Sequence, residues 1–262
     1  YTNKNSSTYA SWNWKAGTAV SGATTGAGTA KTYTGSVNTT SGFSIINFVG
    51  NGTAGHTIPH HLGVAPKMVI VKNITSASTY WQTYHYNLDN GAGTNEIFLD
   101  LTNATNVSGG AWNSTAPTST VITKGAGSYG NQNDSNHIMY CFANTSMIKC
   151  GSYTGNGSTD GTFVYTGFKP AFVLMKRSDS AENWDMLDNK RNTFNASDKL
   201  LKPNLSNAEG TFSTIDMLSN GFKQRNSDAE FNASGGTYIY LAIAEQPFVT
   251  STTNGSIPAT AR

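Results

Sequence analysis

The sequence predicts an all-β protein made of two tandem homologous antiparallel β-sandwich or jelly-roll-like repeats of about 100 residues each. Three observations carry that prediction. A set of motifs recurs at an offset near 100 to 105 residues. Gly50-Asn51-Gly52-Thr53 returns as Gly155-Asn156-Gly157-Ser158, Pro66 with Val69-Ile70-Val71-Lys72 returns as Pro170 with Val173-Leu174-Met175-Lys176, Trp81 as Trp184, and His137 to Ala143 is answered by Thr237 to Ala244. Short runs rich in β-branched and aromatic residues are separated by Gly, Asn, Asp and Ser. No segment of about 10 to 12 residues has helical spacing.

Taken in order, the chain opens at Tyr1 inside a β pattern, as a piece of a longer protein would. Residues 1–15 read as the last strand of a truncated upstream repeat, because Thr8 to Trp14 has the position-by-position character of the final strand of the other two copies. Residues 16–42 are almost wholly Gly, Ala, Ser and Thr and read as a linker. The first repeat, 43–145, has its best strands at Phe43 to Val49, Lys67 to Asn73, Tyr80 to Leu88, Glu96 to Leu101, Thr118 to Thr123 and His137 to Ala143. The second, 146–249, has them at Ile148 to Thr154, Phe163 to Phe168, Ala171 to Lys176, Asn183 to Leu187, Ile215 to Phe222 and Thr237 to Ala244. Alternation within these runs predicts one face on a core and the other in solvent. Residues 250–262 read as a tail.

Charged residues make up 12 % of the chain, against roughly 25 % in ordinary soluble domains, and small neutral polar residues take their place. The net charge is +2 with no basic cluster, which argues against nucleic acid and anionic membranes as partners. No apolar run of about 18 residues is present to insert into a bilayer. Cys141 and Cys150 flank Asn144 to Met147. A hairpin there would set them opposite each other for a disulfide, and two small buried hydrophobes is the preferred reading.

Tyr9 to Gly17, Asn38 to Ile45, His60-His61-Leu62-Gly63-Val64-Ala65-Pro66-Lys67, Gly151 to Ser158, and Ser219-Asn220-Gly221-Phe222 followed by Gly236 to Tyr240 form a set of turn and strand signatures. Together they resemble the repeated β module of tail-fibre and other virion proteins of tailed bacteriophages, notably marine ones. The family usually has His-Gly-Leu-Gly where this chain has His60-His61-Leu62-Gly63, so His61 is a departure within that turn. The resemblance implies a concanavalin-like or lectin-like sandwich on the virion surface, a non-enzymatic structural role in a tail fibre or appendage, and recognition of host cell-surface glycans. The implied partners are other virion proteins, further copies of the chain as a trimer, and a host surface polysaccharide. A free carbohydrate-binding lectin is the alternative, and a glycan-degrading enzyme a weaker one. No catalytic residues come with the resemblance.

The residues offer little chemistry beyond contact. His56, His60 and His61 form a cluster without the further Cys or carboxylate ligands that a zinc site needs, so no metal and no cofactor is expected. Asp179, Glu182, Asp185 and Asp188 gather around Trp184 and read as turn caps and solvated charges rather than as a glycosidase pair. Aromatic rings with a polar edge suit a sugar face. Trp112, Tyr129, Tyr84 and His85 are therefore the candidate ligand contacts, Trp112 and Tyr129 foremost because they lie in turn-rich segments of one copy only. Trp81 and Trp184 occupy equivalent places and read as core or interface packing. The sequons at Asn51, Asn103, Asn113, Asn156, Asn204 and Asn232 read as by-products of an Asn-, Ser- and Thr-rich composition.

Overall fold

The computed structural model describes residues 4–15, 17–192 and 194–245. The tail read at 250–262 lies outside them.

In the first half the strands are β1 (Thr18–Ala23), β2 (Thr25–Gly26), β3 (Thr32–Asn38), β4 (Phe43–Val49), β5 (His56–Pro59), β6 (Met68–Asn73), β7 (Gln82–His85), β8 (Asn95–Phe98), β9 (Asn106–Val107), β10 (Val121–Lys124) and β11 (Asn136–Phe142), with a 3-10 turn at Tyr86–Leu88 and a helical turn, α1, at Ser128–Asn131. The second half contains β12 (Ile148–Thr154), β13 (Phe163–Tyr165), β14 (Pro170–Arg177), β15 (Trp184–Asp188), β16 (Ser197–Leu200), β17 (Gly210–Leu218), β18 (Gly221–Gln224) and β19 (Thr237–Ala244). They form four antiparallel sheets. Sheet I has the order β1-β3-β4-β11-β6-β7-β8-β9, sheet II β10-β5-β2, sheet III β12-β19-β14-β15 and sheet IV β13-β18-β17-β16. The protein is all-β, and among the described residues no helix is long and apolar enough to cross a membrane.

Three apolar layers bind the four sheets. Ile46, Phe48, Val69, Val71, Met139 and Cys141 of sheet I meet Ile58 and Ile122 of sheet II. Val173, Met175, Tyr238, Tyr240 and Ala242 of sheet III meet Val164, Ile215, Met217 and Phe222 of sheet IV. Between the two sandwiches, Met68, Ile70, Ile97 and Phe142 of sheet I pack on Ile148, Phe172, Leu174, Trp184, Ile239 and Leu241 of sheet III. The stacking order is therefore II, I, III, IV.

The inner sheets are thus covered on both faces, which corrects the expectation of strands with one wet side. In β19, Tyr238, Tyr240 and Ala242 point into the second sandwich while Ile239 and Leu241 point to the central layer. A strand buried on both faces reads as a continuous apolar run, as Tyr238 to Ala244 does. Each large side chain so buried contributes on the order of 1.5–3 kcal/mol, so the central layer joins the halves firmly.

Pairing in the two halves follows corresponding registers. Val49 lies opposite Asn136, and Thr154 opposite Thr237, shifts of 105 and 101 residues. Met68 faces His85 as Phe172 faces Asp188, shifts of 104 and 103. Pro59 faces Val121 as Tyr165 faces Gly221, shifts of 106 and 100.

Several sequence expectations are corrected. The stretch 16–42 is no linker, for β1, β2 and β3 lie in it. Its small residues cost little in strands at or next to a sheet edge, and the ladder from Tyr33↔Phe48 to Asn38↔Phe43 fixes β3 on β4. Tyr33 and Val37 supply the apolar face. Gly35 between them is required by close approach, since a Cβ there would collide with the Ile45 carbonyl and with Ile46. Thr8 to Trp14 forms no strand; no strand edge pairs with it, and its tryptophans pack on phenylalanine rings instead. The run Ile215 to Phe222 is a hairpin rather than one strand, turning at Ser219-Asn220 with Leu218 opposite Gly221. Cys141 and Cys150 are free and buried. No hairpin joins them, because the strands pair in different sheets and Cys141 faces the first sandwich core while Cys150 faces the central layer.

Candidate functional site

Three of the four candidate contact residues lie in the interior. Trp112 and Tyr84 are each 1 % exposed and meet edge-on at 5.7 Å between sheets I and II. His85 is buried as well. Its Nδ1 accepts from the Asn87 amide at 3.2 Å, so Nε2 carries the proton and donates to the Tyr240 carbonyl at 3.2 Å, across the central layer. Burial pushes the imidazole down to about 4, against the hydrogen bond to Tyr240. None of these three rings is presented to a ligand outside, which corrects their reading as contact residues. Tyr129, on α1, is half-buried and packs with Tyr80 at 5.1 Å and Phe98 at 5.9 Å, making a small surface cluster with the exposed Tyr80.

The histidine cluster is spent on framework contacts. His56 Nδ1 donates to Asn131 Oδ1 at 2.8 Å and its Nε2 lies 2.7 Å from Thr24 Oγ1. His60 Nδ1 accepts from the Leu62 amide and Nε2 reaches the Thr118 carbonyl, both at 3.2 Å; burial pushes this ring down to about 4. His61 has φ of +61°, the left-handed region that favours glycine, and is braced by Tyr33 Oη at 2.9 Å from Nε2. The turn therefore keeps the backbone that a glycine would adopt, although the residue is His.

The Gly-Asn-Gly-Thr/Ser turns are held by two buried asparagines. Asn131 accepts from the Asn51 amide at 3.1 Å and donates to the Thr53 and Gly125 carbonyls. Asn232 accepts from the Asn156 amide at 3.0 Å and donates to the Ser158 and Asn226 carbonyls. Both are fully buried, so the Asn232 sequon is structural in the folded chain.

Two interior clusters carry charge. Beside Trp112, Lys124 Nζ lies 3.5 Å from the indole ring centre and donates to Gln82 Oε1 at 2.5 Å, while Gln82 Nε2 donates to Glu96 Oε2 at 2.7 Å. In the second half the buried Asp185 lies 3.2 Å from Lys202 Nζ, which also pairs with Glu230. Burial, with the Glu230 charge behind it, pushes the Asp185 carboxyl up to about 8. Asp185 is therefore not the solvated charge expected from sequence. Asp188 and Asp179 do cap and pair: Asp188 accepts from the Lys190 and Arg191 amides, and Asp179 from Arg177 at 2.8 Å.

A surface groove of about 850 Å³ lies at one end of the central layer, where the segment 9–15 crosses it. Its floor is apolar: Phe172, Ile148, Met147 and Ile243. Trp12 meets Phe172 edge-on at 5.6 Å, and Trp14, 38 % exposed, lies 6.2 Å from Phe43 and 6.3 Å from Phe172. Arg191 stands over Trp12 at 5.6 Å and pairs with Asp188 at 2.6 Å. Burial opposes ionisation of Asp188, but the Arg191 amide and guanidinium prevail and hold its carboxyl below the usual range. The result is an aromatic wall facing a fixed cation and anion. Sequence reasoning missed it by reading Trp12 and Trp14 as strand residues; two tryptophans in a polar stretch were the available signal.

No curated protein and no solved structure matches the chain. The family described as Domain of unknown function (DUF7483) matches residues 1–247, and the chain belongs to that family.

Proposed function

We propose that this chain is a non-enzymatic structural module of a bacteriophage tail fibre or appendage, and that it contacts host cell-surface glycan through the groove at the end of the central layer. The observation that carries the reading is the wall of Trp12 and Trp14 facing the Arg191–Asp188 pair. A flat indole covers the apolar face of a sugar ring while charged neighbours hydrogen-bond its hydroxyls. The stacked sandwiches give that wall a rigid base, and the low charge content suits a particle surface. We also read the corresponding registers and the Asn131 and Asn232 braces as two copies of one unit. Other virion proteins and a trimer of the chain are its proposed partners.

The test is retention of the purified chain on an array of bacterial lipopolysaccharides and capsular polysaccharides, compared with Trp14→Ala. Saturable binding by the parent chain, weakened at least tenfold in the variant, is expected. No retention on any polysaccharide, or retention indifferent to Trp14, overturns the glycan reading.

A further inference from the structure

The interior of the first sandwich holds an arrangement that packing alone leaves unexplained. Lys124, on β10 of sheet II, is 1 % exposed and, among the described residues, has no carboxylate as a direct hydrogen-bond partner; its Nζ reaches a carboxamide, Gln82 on β7 of sheet I. A buried ammonium without a contacting counter-ion is costly. Burial pushes this lysine down to about 7, with the Glu96 charge opposing, so a free amine is accessible at neutral pH. A desolvated amine is a nucleophile.

The electrophile is in place, and a carboxylate lies against its leaving nitrogen. Gln82 turns its oxygen toward Nζ and its nitrogen toward Glu96 Oε2, while Glu96 Oε1 is fixed by Asn106 Nδ2 at 2.9 Å. The Trp112 ring shields one side of Nζ. On another side α1 closes down through Gly130, where a Cβ would collide with both Gln82 Oε1 and Lys124 Nζ. Reactants held in contact and away from water gain much of what a bimolecular step would cost.

We propose that Lys124 and Gln82 join in an intramolecular amide bond that crosslinks sheet I to sheet II. Lys124 Nζ, as the free amine, attacks Gln82 Cδ. Glu96 takes the proton that Nζ loses and delivers it to Nε2, the Cδ–Nε2 bond breaks, and ammonia departs. The product is a secondary amide between the two side chains, and Glu96 returns to its starting state. No oxidant, metal or co-reactant is needed. The bond also removes the buried charge, which accounts for a lysine at this position.

The second half offers a contrast. Lys202 is partly exposed and pairs with two carboxylates, Asp185 and Glu230, so its proton is held rather than released. Lys176 donates to the Arg177 and Ser180 carbonyls, not to a side-chain acyl group.

The experiment is the intact mass of the purified, folded chain, followed by peptide mapping. The expected mass is that of the sequence less one ammonia, with a branched peptide joining the Lys124 and Gln82 segments. Glu96→Gln keeps the shape of the site and removes the proton carrier, so its circular dichroism should match the parent while its mass returns to the full sequence value. A folded parent chain with the full sequence mass overturns the proposal. So does an ammonia deficit that maps to an Asn-Gly step such as Asn90-Gly91 rather than to Lys124.

Discussion

The indole Nε1–H of Trp184 donates to the carbonyl oxygen of Phe98, 2.8 Å away on the other side of the central layer. A residue of β15 thereby satisfies the last residue of β8, and the bond joins two sheets that share no ladder. Trp81, which the sequence pairs with Trp184, packs against the same layer, its ring nearly parallel to that of Tyr140 at 6.5 Å. Both backbone amides are capped alike, Trp81 by Asp100 and Trp184 by Asn204. Replacing Trp184 by Phe keeps an aromatic ring but removes the indole donor, leaving the Phe98 carbonyl with only the 3.4 Å bond from the Leu101 amide, which should cost about 1 kcal/mol. Trp184→Ala should cost about 3–5 kcal/mol through the cavity it leaves. Denaturant titration of both variants checks this, and equal stabilities would contradict a bond across the layer.

Acid should loosen the fold through its buried histidines. His60, His85 and His137 are each pushed down to about 4 by burial, so between their ordinary value of 6.5 and that point the unfolded chain binds protons that the folded chain does not. Stability therefore falls as pH drops from 6.5 toward 4, by on the order of 1.4 kcal/mol per pH unit for each such group. At His85 the cause is concrete: protonating Nδ1 sets it against the Asn87 amide that now donates to it. Melting temperatures recorded across that range should fall, and His85→Gln should reduce the slope. An unchanged slope in the variant would locate the effect elsewhere.

Asn131→Ala and Asn232→Ala should be destabilising to a similar degree. Each removes several hydrogen bonds that hold a part-buried Gly-Asn-Gly turn, at about 1 kcal/mol for each bond lost. Asn131 additionally loses His56, so its variant should be the worse of the two. Paired denaturation curves give the comparison; a mild effect in only one half would argue against equivalent roles.

The edge of β12 is guarded by a side chain. Asn144 Oδ1 accepts from the Cys150 amide at 2.7 Å and Asn144 Nδ2 donates to the Cys150 carbonyl at 3.3 Å, in the manner of a neighbouring strand. At the corresponding edge of β4, β3 provides that cover. Open strand edges recruit other chains. Asn144→Ala should lower stability by about 1 kcal/mol and produce concentration-dependent association, read by light scattering. A variant that stays monodisperse at high concentration would show the cap to be dispensable.

Class, turns and offset were legible because Gly, Asn and Asp punctuate the chain and because side-chain alternation has a period of two. The both-sided burial was written in the sequence too, in the unbroken run Tyr238 to Ala244, but a local pattern does not say which partner covers the second face. Edge strands from Ala- and Gly-rich sequence are harder to foresee. Their stability comes from ladders, β1 on β3, β3 on β4 and β2 on β5, far from anything that composition reports. Trp112 looked like a surface ring because its neighbours Gly110 and Asn113 are turn formers; the turn tucks the indole inward. The groove joins Trp12 to Arg191, a contact between distant parts of the chain.

The central layer also constrains how such a chain can be divided. Parted near Thr145, each piece would present a broad oily wall to water where its sibling now sits, and each would seek a substitute. Neither sandwich is thus a portable part. Gain, loss or exchange of this architecture has to move both together.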